Sequence, residues 1–187
     1  MQSLAERIQR LEQDVLSPEM RLSGYHDLPF AIFRYDPEEE FAARSEIRLL
    51  RSRLHSEGKQ VIEVSLAAQM WSVVAEAESL ELLFGAEQTA GLQRTVETVN
   101  AILDADDALV ARIVEALRPH DPEATVGLLV RGEAFFPFFR TSAILSRLHG
   151  KVRVPTVLFY PGTLEGTVGL RFMGVYQADP NYRPNIY

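Results

Sequence analysis

The chain has 187 residues, 47% of them hydrophobic and 24% charged, with a formal net charge of -7 and no cysteine. That length builds one domain-sized core, the composition is that of a globular chain, and the missing cysteines exclude disulfides, thiolate nucleophiles and cysteine-ligated metal centres. The charge opposes nonspecific attraction to DNA, and no basic-then-apolar leader or apolar run of about 18 residues occurs, so a cytoplasmic protein with no membrane partner is expected.

Leu4, Ile8, Leu11 and Val15 fall at helical spacing in residues 2–16, which predicts an amphipathic helix closed at Ser17-Pro18, with a loop to residue 28. Residues 29–35 read as a first strand. Asp36-Pro37-Glu38-Glu39 then supplies a cap, a proline at the first helical position and a capping-box glutamate. The helix that follows repeats Ile47, Leu50 and Leu54 and ends at Gly58, a residue suited to a left-handed cap. A second strand is expected over 60–64 and a helical region over 66–84 that carries the sole tryptophan, Trp71. Two amphipathic segments come next, marked by Leu92, Val96, Val99 and Leu103 and by Leu109, Ile113 and Leu117, with Asp104, Asp106 and Asp107 between them as helix caps. Residues 125–130 read as a third strand and 138–148 as a short helix.

Residues 153–162 then form an apolar run closed by Pro161-Gly162, the pattern of a strand buried on both faces, and a weaker strand follows at 169–173. Alternation of strands and helices predicts a single α/β domain with a mainly parallel sheet of about five strands flanked by helices. Residues 1–28 are its helix and loop, 29–176 the sheet core and 177–187 a tail strapped onto the surface. It is the outline of a nucleotide-binding fold, but without a phosphate loop: the first strand leads into carboxylates and a proline where phosphate needs free amides. Gly162–Thr167 lacks the Lys-Ser/Thr ending of a phosphate loop and reads as a hairpin turn.

The four histidines have no metal-ligand spacing, and no Gly-x-Ser-x-Gly elbow occurs, so no catalytic residue, metal ligand or cofactor is assigned. The segment Arg131–Arg140 stands out because it follows the third strand and joins two arginines to four phenylalanines. Its phenylalanines either pack a helix on the sheet or anchor another protein, the residue mix that carries interface energy.

Taken together, Tyr35-Asp36-Pro37-Glu38, Gly132 with Phe136-Pro137-Phe138-Phe139-Arg140, Val154-Pro155, Phe159-Tyr160-Pro161-Gly162, Leu170-Arg171-Phe172 and Asp179-Pro180-Asn181-Tyr182-Arg183 resemble, in order, the pattern of the BrxB family. Its members are small components of bacteriophage exclusion (BREX) defence systems. The tail departs from the pattern at Pro180 and Pro184, as does Gly174-Val175-Tyr176, where members carry basic residues. The resemblance implies a non-enzymatic adaptor that binds other defence components, a PglZ-type phosphatase-superfamily protein first, or the methyltransferase or large ATPase. Phe135, Phe136, Phe138, Arg140, Tyr182 and Arg183 are the partner-binding candidates. A degenerate domain sensing a nucleotide or nucleic acid is the alternative, and the exposed aromatics permit a homodimer.

Overall fold

A computed structural model of the chain describes residues 2–17, 22, 29–78, 80–139, 141–166, 169–178 and 185–187. The first helix, α1 (Leu4–Leu16), begins in a capping box: the Ser3 hydroxyl accepts from the Glu6 amide at 3.2 Å, and the Glu6 carboxylate accepts from the Ser3 amide at 2.7 Å. It buries Ile8, Leu11 and Val15, the stripe that its sequence spacing predicts. Strand β1 (Phe30–Tyr35) runs into a 3₁₀ turn at Pro37–Glu39 and then α2 (Glu40–Ser56), after which Gly58 turns the chain at a φ of 83°.

Strand β2 (Gln60–Ser65) leads directly into α3 (Leu66–Ala77), whose first turn donates the Ala68 amide to the Ser65 hydroxyl. The helical region expected over 66–84 is two helices, α3 and α4 (Leu80–Ala90). Of α4 only Leu83 is buried, so α4 and α5 (Leu92–Asp104) form a helical hairpin with much apolar surface outside the core. Helix α6 (Ala108–Leu117), strand β3 (Thr125–Val130), helix α7 (Ser142–Leu148) and strands β4 (Thr156–Glu165), β5 (Gly169–Phe172) and β6 (Asn185–Ile186) complete the described elements.

The aspartates before α6 do not cap it. Asp106 and Asp107 both take left-handed backbone conformations, and Asp107 makes no side-chain cap bond. Their carboxylates work at longer range: Asp104 pairs with Arg147 at 2.8 Å, and Asp107 with Lys151 at 3.1 Å, joining the α5–α6 corner to α7 and the turn after it. Helix α7 also starts later than residue 138, because residues 136–138 are a turn.

The sheet runs β2-β3-β4-β1-β6, all parallel, and β5 folds back antiparallel on the far end of β4. Thr156 to Gly162 of the central strand β4 are all buried. Alternate side chains feed two cores. Leu158, Ile32 and Leu129 meet the helices α3, α6 and α7 on one face, and Phe159, Phe33 and Leu128 meet α1 and α2 on the other. Each such fully buried side chain stabilises the fold by roughly 1.5–3 kcal/mol.

β4 does not stop at Pro161-Gly162. It continues to Glu165 because β5 pairs with its outer half, Gly162 opposite Phe172, and the chain reverses at Gly166, whose φ is 66°. Gly162 is required there: a Cβ would stand 2.3 Å from the Arg171 carbonyl oxygen and 2.5 Å from the Tyr160 ring. The end of the tail joins the sheet instead of lying on its surface, with Asn185–Ile186 as strand β6 beside β1. The Tyr187 amide donates to the Ile32 carbonyl at 2.9 Å, its carbonyl accepts from the Arg34 amide at 3.1 Å, and its hydroxyl meets Asp14 on α1 at 2.6 Å.

Candidate functional site: the carboxyl edge of the sheet

Parallel strands end on a common edge, where α/β proteins place their working surface. Here β1 ends at Tyr35 and β3 at Val130, and the residues between β3 and α7 lie over that edge. Arg131 turns the chain in a left-handed conformation, and Gly132 fits beneath it because a Cβ would come within 3.3 Å of the Phe159 carbonyl oxygen. A 3₁₀ turn over Gly132–Phe135 follows, and the Phe136–Pro137 peptide is cis.

This turn sends adjacent phenylalanines in opposite directions. Phe135 is fully buried, edge-to-face with Phe139 at 5.7 Å, so it belongs to the core and is corrected from an exposed anchor to a packing residue. Phe136 is 37% exposed and lies 5.7 Å from the Tyr176 ring. Tyr176 donates its hydroxyl to the Pro137 carbonyl and stacks on Phe172, which in turn meets Tyr160 of the central strand. Phe138 is half-buried against Trp71 at 6.0 Å, and Trp71 itself, on α3, is 40% exposed. The surface is thus a pair of aromatic ridges, Phe136 with Tyr176 and Phe138 with Trp71, backed by rings rooted in the core. Sequence reasoning placed Phe136 and Phe138 here and missed Trp71 and Tyr176. Arg140, Tyr182 and Arg183 lie outside the described residues.

Beside the ridges sits an ion network. Arg44 donates to Glu40 at 2.5 Å and to Glu133 at 2.9 Å, and Arg131 donates to the same Glu133 oxygen at 2.7 Å. The buried Tyr35 hydroxyl donates to Glu40 at 2.6 Å. Burial, then the hydrogen bond and charge of Glu40, push the Tyr35 hydroxyl far above its ordinary pKa. For Arg44, burial pulls the guanidinium down, but Glu40 and Glu133 outweigh it and hold the side chain more firmly charged. The other Glu133 oxygen and the Thr141 hydroxyl are buried without a hydrogen-bond partner among the described residues.

The network bears on nucleotide binding. Arg44 and Arg131 are engaged by carboxylates, leaving a poor cradle for phosphate. The turn after β1 satisfies itself, since Asp36 accepts from the Glu38 amide at 3.2 Å and Glu39 accepts from the Asp36 amide at 3.4 Å. Among the described residues no group of three or more His, Asp or Glu side chains is placed to hold a metal ion, and no helix is long and apolar enough to cross a membrane. What the edge offers is aromatic contact area framed by a fixed polar network, a composition suited to protein contact.

Comparison with known proteins gives a consistent family signal. The family described as "BREX protein BrxB" matches residues 62–186, a span from β2 to β6 that contains both aromatic ridges. A protein of Bacillus cereus (strain H3081.97) described as "BREX protein BrxB" is 29% identical over 163 residues, covering 84% of this chain and 82% of that protein. No solved structure matches the chain significantly.

Proposed function

From the premise that the chain belongs to the BrxB family of BREX proteins, we propose that it serves the BREX anti-phage system as a non-enzymatic adaptor, binding other components and assembling them. The aromatic ridges carry this reading: Phe136 and Trp71 are large, exposed and rigidly backed, which lowers the entropy lost on binding. A PglZ-type protein is the partner proposed first, and the methyltransferase and the large ATPase are the further ones. The cytoplasm is the proposed location.

Sensing of a nucleotide finds less support, because the arginines at the strand ends are neutralised and the turn after β1 caps itself. Co-purification tests the adaptor reading. Tagged chain should retain a PglZ-type protein, and Phe136→Ala should weaken that capture about 30-fold, the effect of losing a central anchor of about 2 kcal/mol. Failure to retain any BREX component, or phage resistance unchanged by Phe136→Ala together with Trp71→Ala, would overturn it.

A further inference from the structure

Helix α4 buries Leu83 alone. At about 3.6 residues per turn, Glu81, Gly85 and Gln88 fall on the side away from Leu83, with Leu82 and Phe84 flanking them on either hand. Leu82 is 64% exposed and Phe84 60%, so the fold leaves both in water. Between them stands Gly85, and glycine is among the least favourable residues for the middle of a helix. Nothing inside the chain requires it: its backbone is helical, and a Cβ there would meet no atom within 4 Å. Gly132 and Gly162, by contrast, answer to atoms of their own fold. Charge around α4 is one-sided as well. From Gln60 to Gln93 the chain has five glutamates and no lysine, arginine or histidine. Glu63 is paired with Arg51 and Glu76 with Arg112, but the carboxylates of Glu81 and Glu87 have no partner among the described residues.

We propose that the face of α4 centred on Gly85 docks a basic helix of another protein, whose backbone crosses α4 at Gly85 and whose lysines or arginines reach Glu81 and Glu87. Side chains at a crossing point hold two helix axes about 8–10 Å apart, and the glycine admits the closest approach. Leu82 and Phe84 then close on the two sides of the incoming helix and leave water, so one contact accounts for the exposed apolar residues and for the glycine between them. Charge selects the occupant. A second copy of the same face would add only carboxylates, and nucleic acid or an anionic lipid surface would be repelled. A helix that carries cations beside its apolar ridge is attracted before contact and paired after it. The inference goes beyond the adaptor site, since none of these residues belongs to the aromatic ridges.

Fluorescence anisotropy of a labelled synthetic helical peptide of leucine, alanine and lysine, titrated with the full chain, tests this. A twin with glutamate in place of lysine is the control. The lysine peptide should bind with a Kd below about 1 mM, and the twin at least about tenfold more weakly. Gly85→Leu fills the crossing point and should weaken binding about tenfold or more without lowering the melting temperature, because the space beside Gly85 is open. Glu81→Lys together with Glu87→Lys should weaken it to a similar extent. Gly85→Ala should raise the melting temperature by about 2–4 °C while it weakens binding, the signature of a residue kept for a partner and not for the fold. Phe136→Ala should leave peptide binding unchanged, so failure of the adaptor reading and failure of this one are read from different variants. No binding up to about 1 mM, equal binding of the two peptides, or binding untouched by Gly85→Leu overturns the proposal. So does a melting temperature lowered by Gly85→Ala, since the glycine would then serve the fold.

Discussion

Tyr176 holds Pro137: its phenolic hydroxyl donates to the proline carbonyl at 3.0 Å, bridging 39 residues of sequence. That bond ties the turn after β5 to the segment after β3, so the Phe136 ridge has a support outside its own loop. Tyr176→Phe keeps the ring contacts with Phe136 and Phe172 and loses the bond. The expected cost is about 1 kcal/mol in urea denaturation, with partner capture reduced less than by Phe136→Ala.

Neighbouring phenylalanines should give opposite phenotypes. Phe135→Ala opens a cavity in the core and should destabilise the fold by about 3–5 kcal/mol. Phe136→Ala removes an exposed ring and should lower stability by no more than about 1 kcal/mol while it weakens partner capture. Denaturation midpoints and co-purification, measured on the same two variants, separate them. Equal stability losses would contradict the placement of the two rings.

Alkaline pH should unfold the protein through Tyr35. Its hydroxyl is raised well above the ordinary value, so the folded state keeps the proton after the unfolded state has released it. The associated stability is complete below about pH 10 and is lost as pH rises further, by about 1.4 kcal/mol per pH unit. Tyr187, raised by burial and by Asp14, acts in the same direction. Urea denaturation between about pH 9 and pH 11 should show the decline, and Tyr35→Phe should make it shallower, leaving the part due to Tyr187.

Gly162→Ala should be among the most damaging single changes in the chain. The added methyl meets the Arg171 backbone and the Tyr160 ring, neither of which can withdraw without parting β5 from β4. A loss of about 3 kcal/mol or more is expected, seen as a lowered melting temperature with loss of the Phe136–Tyr176 surface that β5 supports.

Much of this fold can be read from residue order. β1, β3 and β4 are apolar runs buried on both faces, and α1 and α6 carry their core stripes at helical spacing, whereas of the α5 stripe only Val99 and Leu103 are buried and Leu92 is exposed. Failures occur where the deciding partner is distant. Asp104 and Asp107 have the composition of caps, but Arg147 and Lys151 compete for their carboxylates. The break after Ala77 carries no glycine or proline to announce it. Trp71 sits in a helical pattern that reads as core, and only its meeting with Phe138, from beyond the next strand, makes it part of a surface. The directions of Phe135 and Phe136 depend on the phase of one short turn, which composition does not encode.

The placement of β1 bears on how the chain is made. Its sheet partners are β4 and β6, both from residue 156 onward, so the strand leaves the ribosome long before either exists. Until then it has helices on both faces, α1 and α2 on one and α3 and α6 on the other, but no strand to satisfy its backbone. Sheet closure is therefore a late, long-range event that brings the ends of the chain together. Such an order favours slow folding and a period of dependence on chaperones during synthesis.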